Sequence, residues 1–294
     1  MGNPDSVGIP RAQPLDQDRP VSRAWLWAVV IAVAAFLFRL VPVLRGGGLF
    51  GFGNYDDGVY FVSAVGLVHG LLPYRDFLLL HPPAITVLLA PFAALAQLTS
   101  DSYGFAAARV AWMLLGAANA VLIWKILRPI GPIAAAFGGF SYAVFHPAIY
   151  SDKSTLLESP ATTALLIAIL LLQPLVHTDS LPHGKALIAG ALLGSAMAIK
   201  IWGVVTLLIV LGWLLLLRRY GVALRVLIAS AAAATVICLP FFVAAPTAMW
   251  NQIVRDQLFR RASDVTTLGR LDRMAGLSII SRPYPPAMIV AVVV

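Results

Sequence analysis

A succession of long apolar runs, broken only by short polar stretches, constrains this chain more than any single motif. The runs occupy 25–44, 84–98, 105–127, 132–149, 160–176, 186–201, 203–217 and 222–245, and another opens near Ala287. A helix crossing a bilayer needs about 20 apolar residues, and several runs reach that length. Of the 294 residues, 60% are hydrophobic and 12% charged, whereas a soluble domain carries about a quarter charged residues. A soluble fold of this size has too little polar side chain to cover its surface. Lipid removes that demand. The sequence therefore predicts an all-α, multi-pass transmembrane helical bundle.

The net charge of +8 does not point to nucleic acid, because Lys and Arg sit mostly between the apolar runs, as membrane-flanking charges do. One cysteine, Cys238, excludes an internal disulfide. Residues 1–22 read as a disordered cytoplasmic tail with Arg11 and Arg19. Residues 23–294 read as one membrane domain without internal repeats. The first run is too long for a signal-peptide core and stays as an anchor. The final run, Pro286 to Val294, stops at less than half a span, which predicts that the sequence is the N-terminal part of a longer protein.

Topology turns on 84–98. This run has 15 residues, follows His81-Pro82-Pro83 and contains Pro91, so it suits an interfacial helix better than a span. If it does not cross, Lys125, Arg128, Lys185, Arg218, Arg219 and Arg225 fall in short cytoplasmic loops, as the positive-inside rule requires. The segments 45–83, 150–159 and 246–286 then share the outer face with Lys200. The last of these carries six arginines against the rule. Its 255–273 stretch, with Trp250, Ile253, Leu258 and Phe259 nearby, reads as an interfacial amphipathic helix.

Four groups on that face have the residue types for chemistry. Asn54-Tyr55-Asp56-Asp57-Gly58-Val59-Tyr60 sets two carboxylates beside the membrane, where they hold a cation, divide acid and base roles, or simply form a solvated turn. Pro73-Tyr74-Arg75-Asp76, followed by His81-Pro82-Pro83, either orients a polar ligand or fixes the entry to 84–98. The stretch 150–160 holds Lys153 and the only glutamate, Glu158, placed where a helix N-terminus favours an acid. Lys200 lies between two apolar runs and either snorkels to the headgroups or binds an anion such as phosphate. Arg109, inside the 105–127 run, has the same choices and a third, a buried carboxylate. The five histidines lack metal-ligand spacing, and no Gly-rich phosphate loop or nucleophile elbow is present.

The order of these pieces resembles the GT-C superfamily of polyprenyl-phosphate-sugar-dependent glycosyltransferases, of the dolichyl-phosphate-mannose protein mannosyltransferase and aminoarabinose transferase type. The resemblance spans roughly residues 24–217 and rests on Asp56-Asp57-Gly58-Val59-Tyr60 and His81-Pro82-Pro83 at this spacing. It implies a GT-C-like bundle with interfacial helices in the first outer loop. It also implies a sugar moved from a polyprenyl phosphate to an outer-face acceptor, whether cell-wall glycan, lipid or protein, in the cell membrane. Asp56 matches the catalytic first-loop acid and Asp57 its acidic neighbour, where the family more often has Glu. Glu158 matches the acid after the third span better than Asp152 does, and Lys200 matches the lysine that meets the carrier phosphate. Tyr60, Arg75, Asp76, His81 and Lys153 complete the expected substrate-binding set. No cofactor is implied, and a divalent cation remains optional because the leaving group is a phosphate monoester. The rival readings are a transporter or lipid flippase, which expects charged groups lining a path within the spans, and a non-catalytic membrane fragment.

Overall fold

The computed structural model describes residues 24–51, 55–178 and 180–259. The 1–22 tail and most of the 255–273 stretch lie outside the described residues. The described chain is helical. Helix α1 (Ala24–Arg45) is followed by α2 (Tyr55–Val68), α3 (Ala84–Leu98) and α4 (Asp101–Leu127). Next come α5 (Pro132–Val144), α6 (His146–Asp152), α7 (Glu158–Leu172) and α8 (His183–Ile199). The order ends with α9 (Gly203–Leu216), α10 (Tyr220–Ala244), α11 (Pro246–Trp250) and α12 (Asp256–Leu258), the last two joined by a π turn over Asn251–Arg255.

Two differences from the sequence reading have local causes. Asp56-Asp57-Gly58 is no turn: it begins the 14-residue α2, whose first turn the two acids stabilise. The 132–149 run is not one helix. It breaks at Phe145, whose extended backbone precedes His146-Pro147, and α5 and α6 meet at 59°, because Pro147 has no N–H to bond back to the preceding turn and its ring clashes with that turn.

Among the described residues, four helical stretches are long and apolar enough to span a bilayer, Trp25–Arg45, Asp101–Leu127, Glu158–Val176 and Tyr220–Ala244, and the bent α5–α6 pair makes a fifth if it counts as one span. Helices α3, α8 and α9 are shorter, with 15, 17 and 14 residues. At 1.5 Å per residue each is about 21–26 Å long, less than the ~30 Å core.

Side-chain contacts fix the direction of each pass. Arg109 donates to Leu49 O at 2.9 Å. Gly116 abuts Arg39, and Ile31 shares a core with Ala120 and Trp124. Helices α1 and α4 are therefore antiparallel, and the chain makes no net crossing between Arg45 and Asp101. Helix α5 returns beside α4, since Gly138 packs on Leu127 and Gly139 on Trp124. Helix α7 runs with α4: Asn119 donates to Ser159 O at 3.2 Å and Gln173 to Ile126 O at 2.8 Å. Helix α8 comes back to set Lys200 beside Glu158. Helix α10 is parallel to α8, packing Val226 on Gly190 and Ser230 on Gly194 so closely that neither glycine has room for a Cβ.

The acidic first turn of α2, the 153–158 connection and the α8–α9 junction thus meet at one end of the bundle. Lys125, Arg128, Lys185, Arg218 and Arg219 lie toward the other. The outward faces are apolar, with Ile209, Val236, Val243 and Phe137 exposed as lipid-facing residues are.

Candidate functional site

Asp56 and Asp57 are neighbours in sequence with opposite surroundings. The helical phase of α2 turns Asp57 inward, where it is buried, and leaves Asp56 exposed. Asp57 Oδ2 accepts from Arg109 Nη2 at 2.9 Å. Arg109 also donates to the carbonyls of Leu49 and Gly51, and its guanidinium lies 4.2 Å from the centroid of the Phe105 ring. Of the fates open to Arg109 in the sequence, the structure selects the buried carboxylate. The ion pair ties α2 and the 49–51 turn to α4. Desolvating two charges gains little net stability, but removing one partner strands the other.

The 153–157 connection carries the next residues. Thr155 Oγ1 donates to Asp57 O at 3.2 Å, and Trp112 Nε1 donates to Leu156 O at 2.8 Å. Leu156 and Leu157 pack with Tyr60, Phe61 and Ile199 in one apolar cluster. This floor fixes the start of α7, where Glu158 Oε1 meets Lys200 Nζ at 2.6 Å. Lys200 stands where α8 ends, in extended backbone. Lys153 lies 5.7 Å from the centroid of the Tyr150 ring.

Leu72-Pro73-Tyr74-Arg75-Asp76-Phe77 forms a pinned turn. Tyr74 takes a left-handed φ of 69°, unusual for a residue with a Cβ. The turn is held by Tyr74 N–H donating to Phe77 O at 2.9 Å and Leu72 N–H donating to Asp76 Oδ2 at 2.7 Å. Arg75 donates to its neighbour Asp76 at 2.8 and 3.0 Å. That hydrogen bond, then the one from Leu72, holds the Asp76 carboxyl below its usual range, and the same contact raises Arg75. Burial pushes the Tyr74 phenol far up, and its hydroxyl donates to His81 O at 2.7 Å. The His81 ring sits edge-on to Tyr60, with centroids 5.7 Å apart. Of the two readings of this segment, the structural one accounts for Tyr74. Gln252 and Gln257 bind the backbone of Leu79 and Leu80, so the 246–258 segment packs over this turn.

A second buried ion pair has no counterpart in the sequence reading. Arg39 Nε and Nη2 donate to Asp152 Oδ2 at 3.0 and 2.7 Å, and both side chains are fully enclosed. Arg39 Nη1 donates to Ala35 O at 2.8 Å and Ala143 O at 3.3 Å. The pair joins α1 to the end of α6, six residues before Glu158. An arginine within an otherwise apolar anchor run was the available signal, since such a group requires a partner. Asp152 is thus committed to Arg39, while Glu158 remains partly open to solvent.

Among the described residues, no cluster of three or more His, Cys, Asp or Glu has metal-binding geometry. A cavity of about 210 Å³, lined by Pro82, Met197, Ala198, Cys238, Phe242 and Trp250 among others, adjoins the α8 end of the site. It is apolar, and smaller than the 300–1,000 Å³ expected of a ligand pocket around the acids. It lies beside the charged groups rather than enclosing them.

The model of glycosyltransferase family 87 matches residues 79–294, and the chain belongs to that family. No curated protein matches. Among solved structures, the chain is similar to one in the S. cerevisiae protein O-mannosyltransferase Pmt1-Pmt2 complex bound to the sugar donor, with a TM-score of 0.57 and 18% identity. The match covers 79% of this chain but only 34% of the yeast one, so the chain spans about a third of its relative's length. At that identity the likeness carries the fold, an all-helical GT-C membrane bundle.

Proposed function

We propose that this family 87 member is a membrane glycosyltransferase that moves a sugar from a polyprenyl-phosphate carrier to an acceptor hydroxyl on the extracytoplasmic face of the cell membrane. The observation that carries the reading is the assembly, at one end of the bundle, of an exposed carboxylate on α2 with the Glu158–Lys200 pair. Thr155 bonds the first turn of α2 to the connection that presents Glu158. The yeast relative was solved with its sugar donor bound, which supports a lipid-linked donor here by analogy of fold.

In the reaction the acceptor oxygen attacks the anomeric carbon. The bond from that carbon to the phosphate oxygen breaks, and the acceptor proton passes to a carboxylate. Asp56 is the base in this scheme because its side chain is exposed at the helix start, where an acceptor can reach it, whereas Asp57 is buried. The departing phosphate gains negative charge, which Lys200 stabilises. Tyr60, one turn along α2 and in ring contact with His81, together with Lys153 and the exposed Arg75–Asp76 pair, completes the proposed substrate-binding set. The acceptor is a cell-wall glycan, a lipid or a protein. A divalent cation is optional in this scheme.

The transporter reading expects charges lining a path within the spans. Among the described residues, the two most deeply buried charges, Arg39 and Asp152, instead neutralise each other in a closed core. Sugar transfer from a radiolabelled polyprenyl-phosphate sugar, wild type against Asp56→Asn, tests the proposal. Full activity in the variant would refute the role of Asp56, and no transfer by the wild type would refute the reading itself.

A further inference from the structure

Among the described residues, the ion pairs that join distant segments are of two kinds. Arg39–Asp152 and Arg109–Asp57 are closed to solvent, with side chains at most 2% exposed. Lys200–Glu158 is a direct contact between α7 and the α8–α9 junction, yet its side chains are 33% and 46% exposed. A pair in such surroundings is weak, so another anion exchanges for the carboxylate at little cost.

The backbone beneath it does not share that freedom. Lys200 N–H donates to Ala196 O at 2.9 Å and Lys200 O accepts from Gly203 N–H at 2.8 Å. A Cβ at Gly203 would meet Met197 N at 2.8 Å, so this junction stays tight against α8. The ammonium group therefore swings from a fixed root. Glu158, when released, keeps the favourable field of the α7 N-terminus.

We infer that Glu158 is the resident counter-ion of Lys200 and competes with the carrier phosphate for it, resetting the site after each transfer. This rests on the reading above, in which Lys200 receives that phosphate. The donor is a phosphodiester with one negative charge. When the anomeric bond breaks, the carrier becomes a monoester with nearly two. Lys200 holds that product more strongly than the donor, and a carboxylate waiting at hydrogen-bond distance speeds its release.

The test titrates farnesyl phosphate, with inorganic phosphate as the headgroup-only probe, into the whole protein in detergent micelles. Binding is read by calorimetry and by tryptophan emission, since Trp202 is 57% exposed two residues from Lys200. Glu158→Gln tightens farnesyl phosphate about two- to fivefold, the range set by an exposed ion pair. Glu158→Ser gives the same direction. Lys200→Gln weakens binding about tenfold or more, as expected for a lost charge-assisted hydrogen bond. Glu158→Gln adds nothing in the Lys200→Gln background. Inorganic phosphate follows the same order more weakly.

Unchanged or weaker binding by both Glu158 variants overturns the inference. So does a Glu158→Gln gain that persists without Lys200. If the binding pattern holds but no polyprenyl-phosphate sugar is turned over, the transferase reading fails and the exchange stands. If turnover is normal but Glu158→Gln and Glu158→Ser bind no tighter, the exchange fails alone. A wild type that does not bind farnesyl phosphate overturns both.

Discussion

Replacing Gly116 with alanine drives a methyl group into the fully buried ion pair of Arg39 and Asp152. The added Cβ would lie 2.7 Å from Asp152 Cβ and closer still to Arg39 Nε and Asp152 Oδ2. Asp152 Cβ is anchored to the backbone of α6, so the clash cannot be relieved by turning the end of a flexible side chain. Either α6 moves off α4 or the carboxylate leaves the guanidinium. Breaking a buried pair costs about 3–5 kcal/mol. The better helix propensity of alanine returns about 1 kcal/mol, leaving a net loss of about 2–4 kcal/mol by these opposing terms. At about 2–4 °C per kcal/mol for a chain of this class, the melting temperature falls by roughly 5–15 °C. The assay is thermal unfolding of the detergent-solubilised protein, followed by loss of the monodisperse peak on size-exclusion chromatography. Gly212→Ala is the control: it lies in α9 with nothing within 4 Å of its new Cβ, and it should leave the midpoint unchanged or slightly raised. A Gly116→Ala protein as stable as wild type would show that the pair does not hold α1 to the end of α6.

Asp56→Asn should lower transfer by about 10²–10⁴-fold, the usual contribution of a general base, with an unchanged melting temperature. Arg109→Leu strands Asp57 in the core and should cost about 3–5 kcal/mol, read as early unfolding whether or not the enzyme turns over. Tyr74→Phe leaves the His81 carbonyl without its hydroxyl donor and should cost about 1–3 kcal/mol, checked by the same melt. Asp76 has a depressed carboxyl pKa in the folded turn, so its contribution is complete above the ordinary aspartate range and lost as pH falls through the depressed value. Exchange protection of the Leu72 amide, corrected for intrinsic rate, should fall over that acid window in wild type and show no such step in Asp76→Asn. In a Cys238→Ser background, Leu78→Cys and Ser180→Cys should react with a membrane-impermeant maleimide from opposite sides of the membrane, because the helix directions put the two positions at opposite ends. Labelling of both from one side would break the topology.

Much of the architecture was legible as a series of apolar runs, and the observed helices follow them closely. The 84–98 run became a helix with those same bounds because Pro82-Pro83 and Thr99-Ser100 stop it locally. The break at Phe145 was written in His146-Pro147, although hydropathy alone read across it. Glu158 and Lys200 were legible as isolated charges at the ends of apolar runs. Their contact was not, because 42 residues separate them. Asp56 and Asp57 looked equivalent in a two-residue acidic element. Only the helical phase of α2, and an arginine more than fifty residues away, gave them different surroundings.

What the sequence determined by itself is the solvent of this protein and its element type. A bilayer rewards unbroken apolar helices, and that preference acts residue by residue along the chain. Which charges would meet was decided only by tertiary structure. A buried arginine must find a carboxylate, but several lay within reach of the chain, and helix direction and phase chose Asp152 for Arg39 and Asp57 for Arg109. Those choices left Asp56 facing outward and the Lys200–Glu158 pair open to solvent, because burial depends on neighbours that primary sequence does not place.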